Sequence, residues 1–389
     1  MILTAVVIGV WSMIFLGALM RGVEDQLLRN GVSVLTGHLQ IHHQGFREDP
    51  VIENRIQDPN AVISTLRTVL PAGALWSERI RVNAIANNAR HAAGITLVGI
   101  DPEREARISF LGDAPLEGAF LKAEDPYGIV VGKALVEDFE TKPGRRLVLM
   151  SRDAQGEVAS RAFRIRGIYQ AEMAATEKQF GFITLAAARE MLGLKEGITE
   201  LAVLLPSHEQ ADGLAATLRE RLPVPPLTVE TWKDLLPLVR LSLELYSGFI
   251  FIWFLVVFIA MGFGIVNTLL MAVFERIREF GLVKALGMKP LGIILGVLTE
   301  SFLLLLLGTA AGNILSLLSV AALAGPGIDL SSLAAGLEYV GMPRVIYPSI
   351  RGVDIFLANT VVLVLGTAVS LYPAVKAARF TPVEALTHT

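Results

Sequence analysis

Four long stretches of the chain contain almost no charged residues, and they cover residues 2–20, 245–274, 291–328 and 355–375. An α-helix needs roughly twenty residues to cross about 30 Å of hydrocarbon, and each stretch reaches this length. The pattern therefore predicts a membrane α-helical protein with four transmembrane helices.

The first stretch lies at the N-terminus, where a signal peptide would also place an apolar run. A signal peptide normally has a basic segment before a shorter apolar core and a small-residue cleavage site after it. No Lys or Arg precedes Arg21. We therefore interpret this stretch as an uncleaved first span.

Basic residues near the other stretches set the expected orientation. They lie in the short segment 275–289 and in the C-terminal tail, and they are Arg276, Arg278, Lys284, Lys289, Lys376 and Arg379. By the positive-inside rule both regions face the cytoplasm. We therefore expect the largest polar region, between the first and second stretches, to lie on the outer side of the membrane.

The chain then divides into eight consecutive segments. They are transmembrane helix 1 (1–20), an extracytoplasmic domain (21–230), a stalk with transmembrane helix 2 (231–274), a cytoplasmic helix (275–289), transmembrane helix 3 (290–325), an external loop (326–353), transmembrane helix 4 (354–375) and a cytoplasmic tail (376–389).

The extracytoplasmic domain has mixed periodicity. Short apolar or alternating runs predict strands at residues 38–42, 95–100, 128–131, 146–150, 163–169 and 201–205. Apolar residues at three- and four-residue spacing predict helices at residues 61–70, 185–192 and 209–222. We expect an inserted α+β domain of two small subdomains between helices 1 and 2.

Two of the apolar helices look too long merely to cross the membrane. If residues 232–274 form one continuous helix, it is about 65 Å long and protrudes as a stalk. Thr231 is the expected N-cap, with Asp234 completing a capping box. The third apolar stretch should tilt, project, or bend near Gly308 and Gly312.

Composition narrows the function classes. The mean hydropathy of +0.55 is too high for an ordinary soluble domain of this length. Basic and acidic residues nearly balance, at 34 against 37, so charge does not favour a nucleic-acid partner. The absence of cysteine excludes disulfides, thiolate metal sites and cysteine nucleophiles.

The sequence offers little catalytic chemistry. The segment GIVVGKA at residues 128–134 has one residue too few between its glycines for a phosphate-binding loop, so a strand followed by a helix is the simpler interpretation. His38, His42 and His43 form a cluster without an obvious third metal ligand, because His43 points away from the other two on a strand. We predict no enzyme activity, no metal and no cofactor in this chain.

Asn267, Glu300 and Asn313 are strongly polar residues within the apolar stretches. Amides within a membrane usually form hydrogen bonds between helices. A carboxylate there is costly unless it is neutral or paired. Glu300 is therefore either paired or interfacial, or it acts directly in a transport path.

The segment 274–289 alternates apolar and charged residues. The apolar positions are Ile277, Phe280, Leu282, Val283 and Leu286, and the charged positions are Glu275, Arg276, Arg278, Glu279 and Lys284. This pattern predicts a short amphipathic helix at the membrane surface. It is either a tight turn with solubilising charges or a docking element for a cytoplasmic partner.

The sequence RIREFGLVKALG at residues 276–287 resembles the coupling helix of the FtsX-like (MacB-type) permeases, the membrane subunits of type VII ABC transporters. The tail YPAVKAARFTPVEAL at residues 372–386 resembles the ending of that family. The segment GHLQIH at residues 37–42, and the lack of a fused ATPase, are closer to lipoprotein-releasing permeases of the LolC and LolE type.

The resemblance implies a mechanism and a set of partners. A cytoplasmic ABC ATPase dimer, which binds ATP and Mg, would move the stalks, and a second permease chain, identical or homologous, would complete the complex. The implied contact with the ATPase runs from Glu275 to Gly287: Arg276, Arg278 and Glu279 would make polar contacts, and Ile277, Phe280 and Leu282 would fill a groove.

Three functions compete at this point. The first is extraction or export of a lipoprotein or another hydrophobic substrate from the membrane lipid. The second is mechanotransmission that regulates periplasmic partners, such as cell-wall hydrolases, without a transported substrate. The third is an ion-coupled carrier, which four spans and a single buried carboxylate argue against.

Overall fold

The computed structural model describes residues 2–171, 173–329 and 345–381. The predicted tail motif beyond residue 381 and most of the predicted external loop lie outside these residues. The chain folds as two compact units. A helical unit comprises Met1–Leu28 and Arg240–Thr389, and a sheet unit comprises Arg29–Val239.

The helices of the described residues are α1 (Ile2–Gly31), α2 (Pro59–Val69), α3 (Pro102–Ile108), α4 (Lys133–Asp138), α5 (Ala174–Gln179), α6 (Leu185–Met191), α7 (Ala211–Arg221), α8 (Trp232–Leu235), α9 (Pro237–Glu275), α10 (Ile277–Ala285), α11 (Pro290–Ala324) and α12 (Gly352–Arg379). Four of them, α1, α9, α11 and α12, are long and apolar enough to cross a membrane. The four predicted spans are therefore present as candidate membrane helices.

The strands of the same residues are β1 (Leu39–His43), β2 (Leu75–Asn87), β3 (Ala92–Ile100), β4 (Leu116–Gly118), β5 (Gly128–Gly132), β6 (Arg146–Arg152), β7 (Val158–Tyr169), β8 (Phe180–Thr184), β9 (Glu200–Leu204), β10 (Leu227–Thr231), β11 (Ile328–Asp329) and β12 (Val345–Ile346). The six predicted strands and three predicted helices of the sheet unit each overlap one of these elements. Four strands of the sheet unit, β2, β4, β8 and β10, were not predicted.

One ten-stranded sheet runs through the sheet unit in the order β10-β1-β9-β2-β3-β8-β5-β7-β4. Because β6 pairs with both β2 and β7, the six strands β2, β3, β8, β5, β7 and β6 also close into a ring. The expectation of two small subdomains is corrected by this finding. A shared sheet joins the strands into one compact unit.

The core of the sheet unit follows from strand alternation. Ile80, Val82, Ala84 and Ala86 are buried on one face of β2 and belong to the largest apolar cluster. At the rejected phosphate-loop segment, β5 leads directly into α4, as the simpler interpretation predicts. A Cβ at Gly132 would lie 2.3 Å from the Glu177 carbonyl oxygen, so close packing explains that glycine.

The helix is not continuous from residue 232, so the condition set for a single long stalk helix is not met. The helix α8 ends at Leu235, and Leu236 leaves the helical region with φ −122° and ψ 64° before α9 begins at Pro237. Proline disfavours helical geometry in the residue before it, which explains the break. The predicted capping box is present: the Thr231 N–H donates to Asp234 Oδ2 at 3.1 Å.

The helix α11 continues through both of its central glycines. A Cβ at Gly308 would come within 2.7 Å of Val6, and one at Gly312 within 2.8 Å of Val10. These glycines let α1 approach closely, which is a common way for membrane helices to pack. They serve packing, and neither interrupts the helix.

Candidate functional site

The predicted amphipathic helix is α10, a separate element between two candidate spans. It follows Arg276, whose φ of −104° and ψ of 15° interrupt the helical path after α9. It ends in a glycine cap: Gly287 has φ +100°, its N–H donates to the Lys284 carbonyl, and the Met288 N–H donates to the Val283 carbonyl. Glycine at this position fits the left-handed conformation that such a cap requires.

The faces of α10 differ strongly in exposure. Ile277 is 4% exposed, whereas Leu282 is 56% and Leu286 is 81% exposed. Phe280 is partly buried against an apolar cluster that includes Val273. The expectation that Ile277 fills a groove on a partner is therefore corrected, because its side chain is buried within the chain. Phe280 is only partly buried, so its predicted contact stays a prediction.

The outward surface of α10 combines apolar and charged side chains. Its exposed members from the predicted set are Glu275, Arg276, Arg278, Glu279, Leu282, Leu286 and Gly287. Met288, which is 46% exposed, adds a residue that the sequence analysis did not select. Exposed apolar residues rimmed by charges are typical of a protein contact.

Arg276 ties the beginning of α10 to α11. Its Nε donates to Glu279 Oε2 at 3.0 Å, and its Nη1 donates to Glu300 Oε2 at 3.0 Å. The hydrogen bond that Arg276 donates to Glu279, together with the charge of Glu300, raises the pKa of Arg276. Glu300 is thus paired in this structure, which agrees with the first of the two alternatives given for it.

Lys284 ties the end of α10 to the end of α12. Its Nζ donates to the Ala378 carbonyl at 2.9 Å and to the Phe380 carbonyl at 2.8 Å. A cation at this position satisfies carbonyls that a helix C-terminus leaves without partners and complements the helix dipole. Sequence reasoning assigned Lys284 to the motif but missed this contact.

Apolar packing between α9, α11 and α12 accompanies the contacts made by Arg276 and Lys284. Val273, Ile293, Val297, Ala374, Ala377 and Ala378 form one buried cluster. The rings of Phe274 and Phe380 meet edge to face at 6.0 Å. Residues of α9, α11 and α12 thus form the platform that carries α10.

The two amides predicted within the spans have different surroundings. Asn313 Nδ2 donates to Asn359 Oδ1 at 3.1 Å and links α11 to α12. This is the interhelical hydrogen bond expected for such a residue. Asn267 is exposed on α9.

The histidine cluster has structural contacts. His38 Nδ1 accepts a hydrogen bond from the Leu205 N–H at 2.9 Å, and burial together with nearby His208 lowers its pKa to about 4. His42 Nε2 lies 3.1 Å from Glu230 Oε2. Within the described ranges, no three His, Asp or Glu residues are grouped in a way that could hold a metal ion.

Comparison with known proteins gives a consistent result. Residues 1–221 match the family model of the MacB-like periplasmic core domain, and residues 250–382 match that of the FtsX-like permease C-terminal region. The chain is 23% identical to the lipoprotein-releasing system transmembrane protein LolC of Xylella fastidiosa, over 98% of this chain and 91% of that protein.

Two further relatives share less of the chain. The lipoprotein-releasing system transmembrane protein LolE of Haemophilus influenzae is 22% identical over 79% of this chain and 76% of that protein. The pyoverdine export ATP-binding/permease protein PvdT of Pseudomonas entomophila is 34% identical over 32% of this chain and 16% of that protein. With both family models matched in chain order, this chain belongs to the FtsX-like ABC-type permeases that carry a MacB-like periplasmic core domain.

Proposed function

We propose that this chain is the non-catalytic membrane subunit of an ABC transporter, in which ATP hydrolysis by a separate cytoplasmic ATPase dimer moves the sheet unit in the periplasm. The ATPase chains bind ATP and Mg. The α10 surface is the contact with the ATPase, and the chain lies in the bacterial inner membrane beside a second permease chain.

The observation that carries this proposal is the double anchoring of α10. Arg276 binds Glu300 of α11, and Lys284 binds the terminal carbonyls of α12. Because α10 is fixed at both ends, a force applied to its outer face is transmitted to α11 and α12. Leu282 and Leu286 lie on that outer face.

The cargo is the finer part of the proposal. Relatives over most of the chain are named lipoprotein-releasing proteins, and the candidate spans present wide apolar surfaces. We infer that the substrate is a lipoprotein or another hydrophobic molecule taken from the outer leaflet of the inner membrane.

The test is ATPase stimulation in liposomes that contain the permease and its ATPase. The variant Arg276→Glu/Glu279→Arg places a carboxylate beside Glu300, so we expect stimulation to be lost while membrane insertion stays normal. The matched control is Arg240→Glu/Glu244→Arg, which reverses an exposed ion pair on α9. Equal stimulation by wild type and by the Arg276 variant would overturn the docking assignment.

Cargo is tested in the same liposomes with a labelled lipoprotein. Release into solution that requires ATP supports extraction. If the permease stimulates ATP hydrolysis but the labelled lipoprotein is not released, the mechanotransmission alternative is favoured.

A further inference from the structure

The sheet unit contains a completely buried guanidinium group that the proposed docking site does not use. Arg79 lies on β2 with its side chain 1% exposed. Its Nε and Nη2 donate to the two carboxylate oxygens of Glu105 in α3, at 3.0 and 2.8 Å. Its Nη1 donates to Glu200 of β9 at 3.1 Å and also to the carbonyl oxygen of Leu35.

Stability alone gives a weak reason for such a group. The desolvation of buried charges offsets much of their attraction, and apolar side chains of similar volume often replace a buried ion pair without loss of stability. The position of Arg79 therefore calls for a further reason.

Leu35 supplies that reason. It lies in the short segment Val32–Thr36 directly after α1, and it is buried with φ +63°. This left-handed conformation is unfavourable for a bulky side chain and persists only where the surroundings enforce it. Besides Arg79, the Gln40 Nε2 of β1 donates to the Leu35 carbonyl at 3.0 Å.

We propose that Arg79 is a positioning residue that fixes the chain leaving α1 to three elements of the sheet unit at once: β2, α3 and β9. When α1 moves, the contact between the Leu35 carbonyl and the Arg79 guanidinium transmits the movement to the sheet, because this contact holds the segment after α1 in place. This inference rests on the proposed function, because it describes how ATP-driven motion reaches the periplasmic unit.

The variant Arg79→Met/Glu105→Met removes the tie without creating a buried charge. Glu200 keeps a partner, because Arg81 Nη2 lies 2.8 Å from its second oxygen. The matched control is Arg161→Met/Glu190→Met, which removes a 2.9 Å ion pair elsewhere in the same unit. Arg79→Lys keeps the charge but loses the forked contact with Glu105.

The measurement uses pairs of spin labels on the permease. The chain has no cysteine, so Gly94→Cys and Gly248→Cys create two unique labelling sites. A Cβ at either glycine meets no atom within 4 Å. Labelled permease is assembled with its ATPase, and the label-to-label distance is measured without nucleotide and with ATP and vanadate.

We expect the distance to shift on ATP binding in wild type and in the Arg161 control. In Arg79→Met/Glu105→Met the shift is lost, or the ATP-bound distance distribution broadens, while the melting temperature and ATPase stimulation stay close to wild type. Arg79→Lys recovers part of the shift. A purely structural role would change the melting temperature and leave the shift unaltered in the folded fraction.

The outcomes separate the two proposals. If wild type shows a shift and both Arg79 variants show the same shift, the positioning role is overturned and the proposed function stands. If wild type shows no shift, although ATP is bound, the proposed function and this inference both fail. If the double methionine variant does not fold, an undiminished shift in Arg79→Lys still overturns the positioning role.

Discussion

Arg276 Nη1 lies 3.0 Å from Glu300 Oε2 and joins the start of α10 to α11 across 24 positions of sequence. The same guanidinium also holds Glu279. A carboxylate within an apolar stretch is costly unless it is paired, and Glu300 is paired with Arg276, which directly follows α9. The pair links α10 directly to α11.

The first prediction concerns this pair. Both side chains are about half exposed, so the pair should contribute only about 0.2–1 kcal/mol to stability. We expect Glu300→Gln to insert normally and to bind the ATPase, with less loss of stimulation than the Arg276 variants. A double-mutant cycle with Arg276→Gln and Glu300→Gln measures the coupling free energy by thermal unfolding.

Loss of complex formation in Glu300→Gln would contradict this account. It would instead give Glu300 an architectural role at an interface between subunits.

The second prediction concerns the other anchor. Lys284→Met leaves the carbonyls of Ala378 and Phe380 without their cationic donor, so we expect a loss of about 1–3 kcal/mol in the free energy of unfolding. ATPase stimulation should fall as well. Lys289→Met is the control, because Lys289 is exposed just before α11. An unchanged melting temperature for Lys284→Met would show that the contact is not formed in the membrane.

The third prediction separates the two faces of α10. Leu286→Glu changes an outward side chain, so we expect ATPase affinity to fall by about 30-fold, equivalent to roughly 2 kcal/mol, with normal protein stability. Ile277→Glu places a charge at a buried position, so it should lower the stability of the permease itself.

Binding is measured by titrating purified ATPase onto permease in nanodiscs. Val158→Glu alters an apolar side chain of similar exposure in the sheet unit and should bind the ATPase normally. Equal affinities for wild type and Leu286→Glu would exclude the outer face of α10 from the contact.

The fourth prediction concerns pH. The pKa of His38 falls from 6.5 to about 4 in the folded chain because burial and His208 disfavour its charged form. The unfolded chain therefore binds this proton first, and the contribution of neutral His38 to stability is lost as pH falls from about 6.5 towards 4. We expect the melting temperature of the sheet unit to drop over this range.

The variant His38→Asn tests the assignment, since its Oδ1 can still accept the Leu205 N–H. It should show a smaller drop between pH 6.5 and 4. His42 works in the opposite sense: burial lowers its pKa, but its contacts with Glu230 and His43 outweigh this and raise it, so its contribution is lost as pH rises. An equal pH dependence in wild type and His38→Asn would refute the role of His38.

Much of the fold follows from local sequence patterns. Uninterrupted apolar stretches predicted the four candidate spans, and alternation predicted strands such as β3 and β6, because both signals are local. The break at Leu236 also has a local cause, because Pro237 disfavours helical geometry in the residue before it. The closure of the strands into a ring depends on long-range pairing of β6 with β2, which no local pattern contains.

In the candidate site, too, local features were predictable from the sequence and long-range contacts were not. The motif located α10 correctly, and the structure adds that its Gly287 caps the helix. It could not show that Ile277 packs inward, because the inward face is set by residues of α9, α11 and α12. The contacts of Arg276 with Glu300 and of Lys284 with Phe380 join positions far apart in sequence, and a single sequence does not reveal them.

The central claim is that the outer face of α10 touches the ATPase, and photo-crosslinking tests it most directly. A photoreactive amino acid is placed at position 286, in place of Leu286, or at position 158 as the control, in permease assembled with its ATPase. We predict an adduct with the ATPase from position 286 and none from position 158. No adduct from position 286, in a complex that still hydrolyses ATP, would contradict the claim.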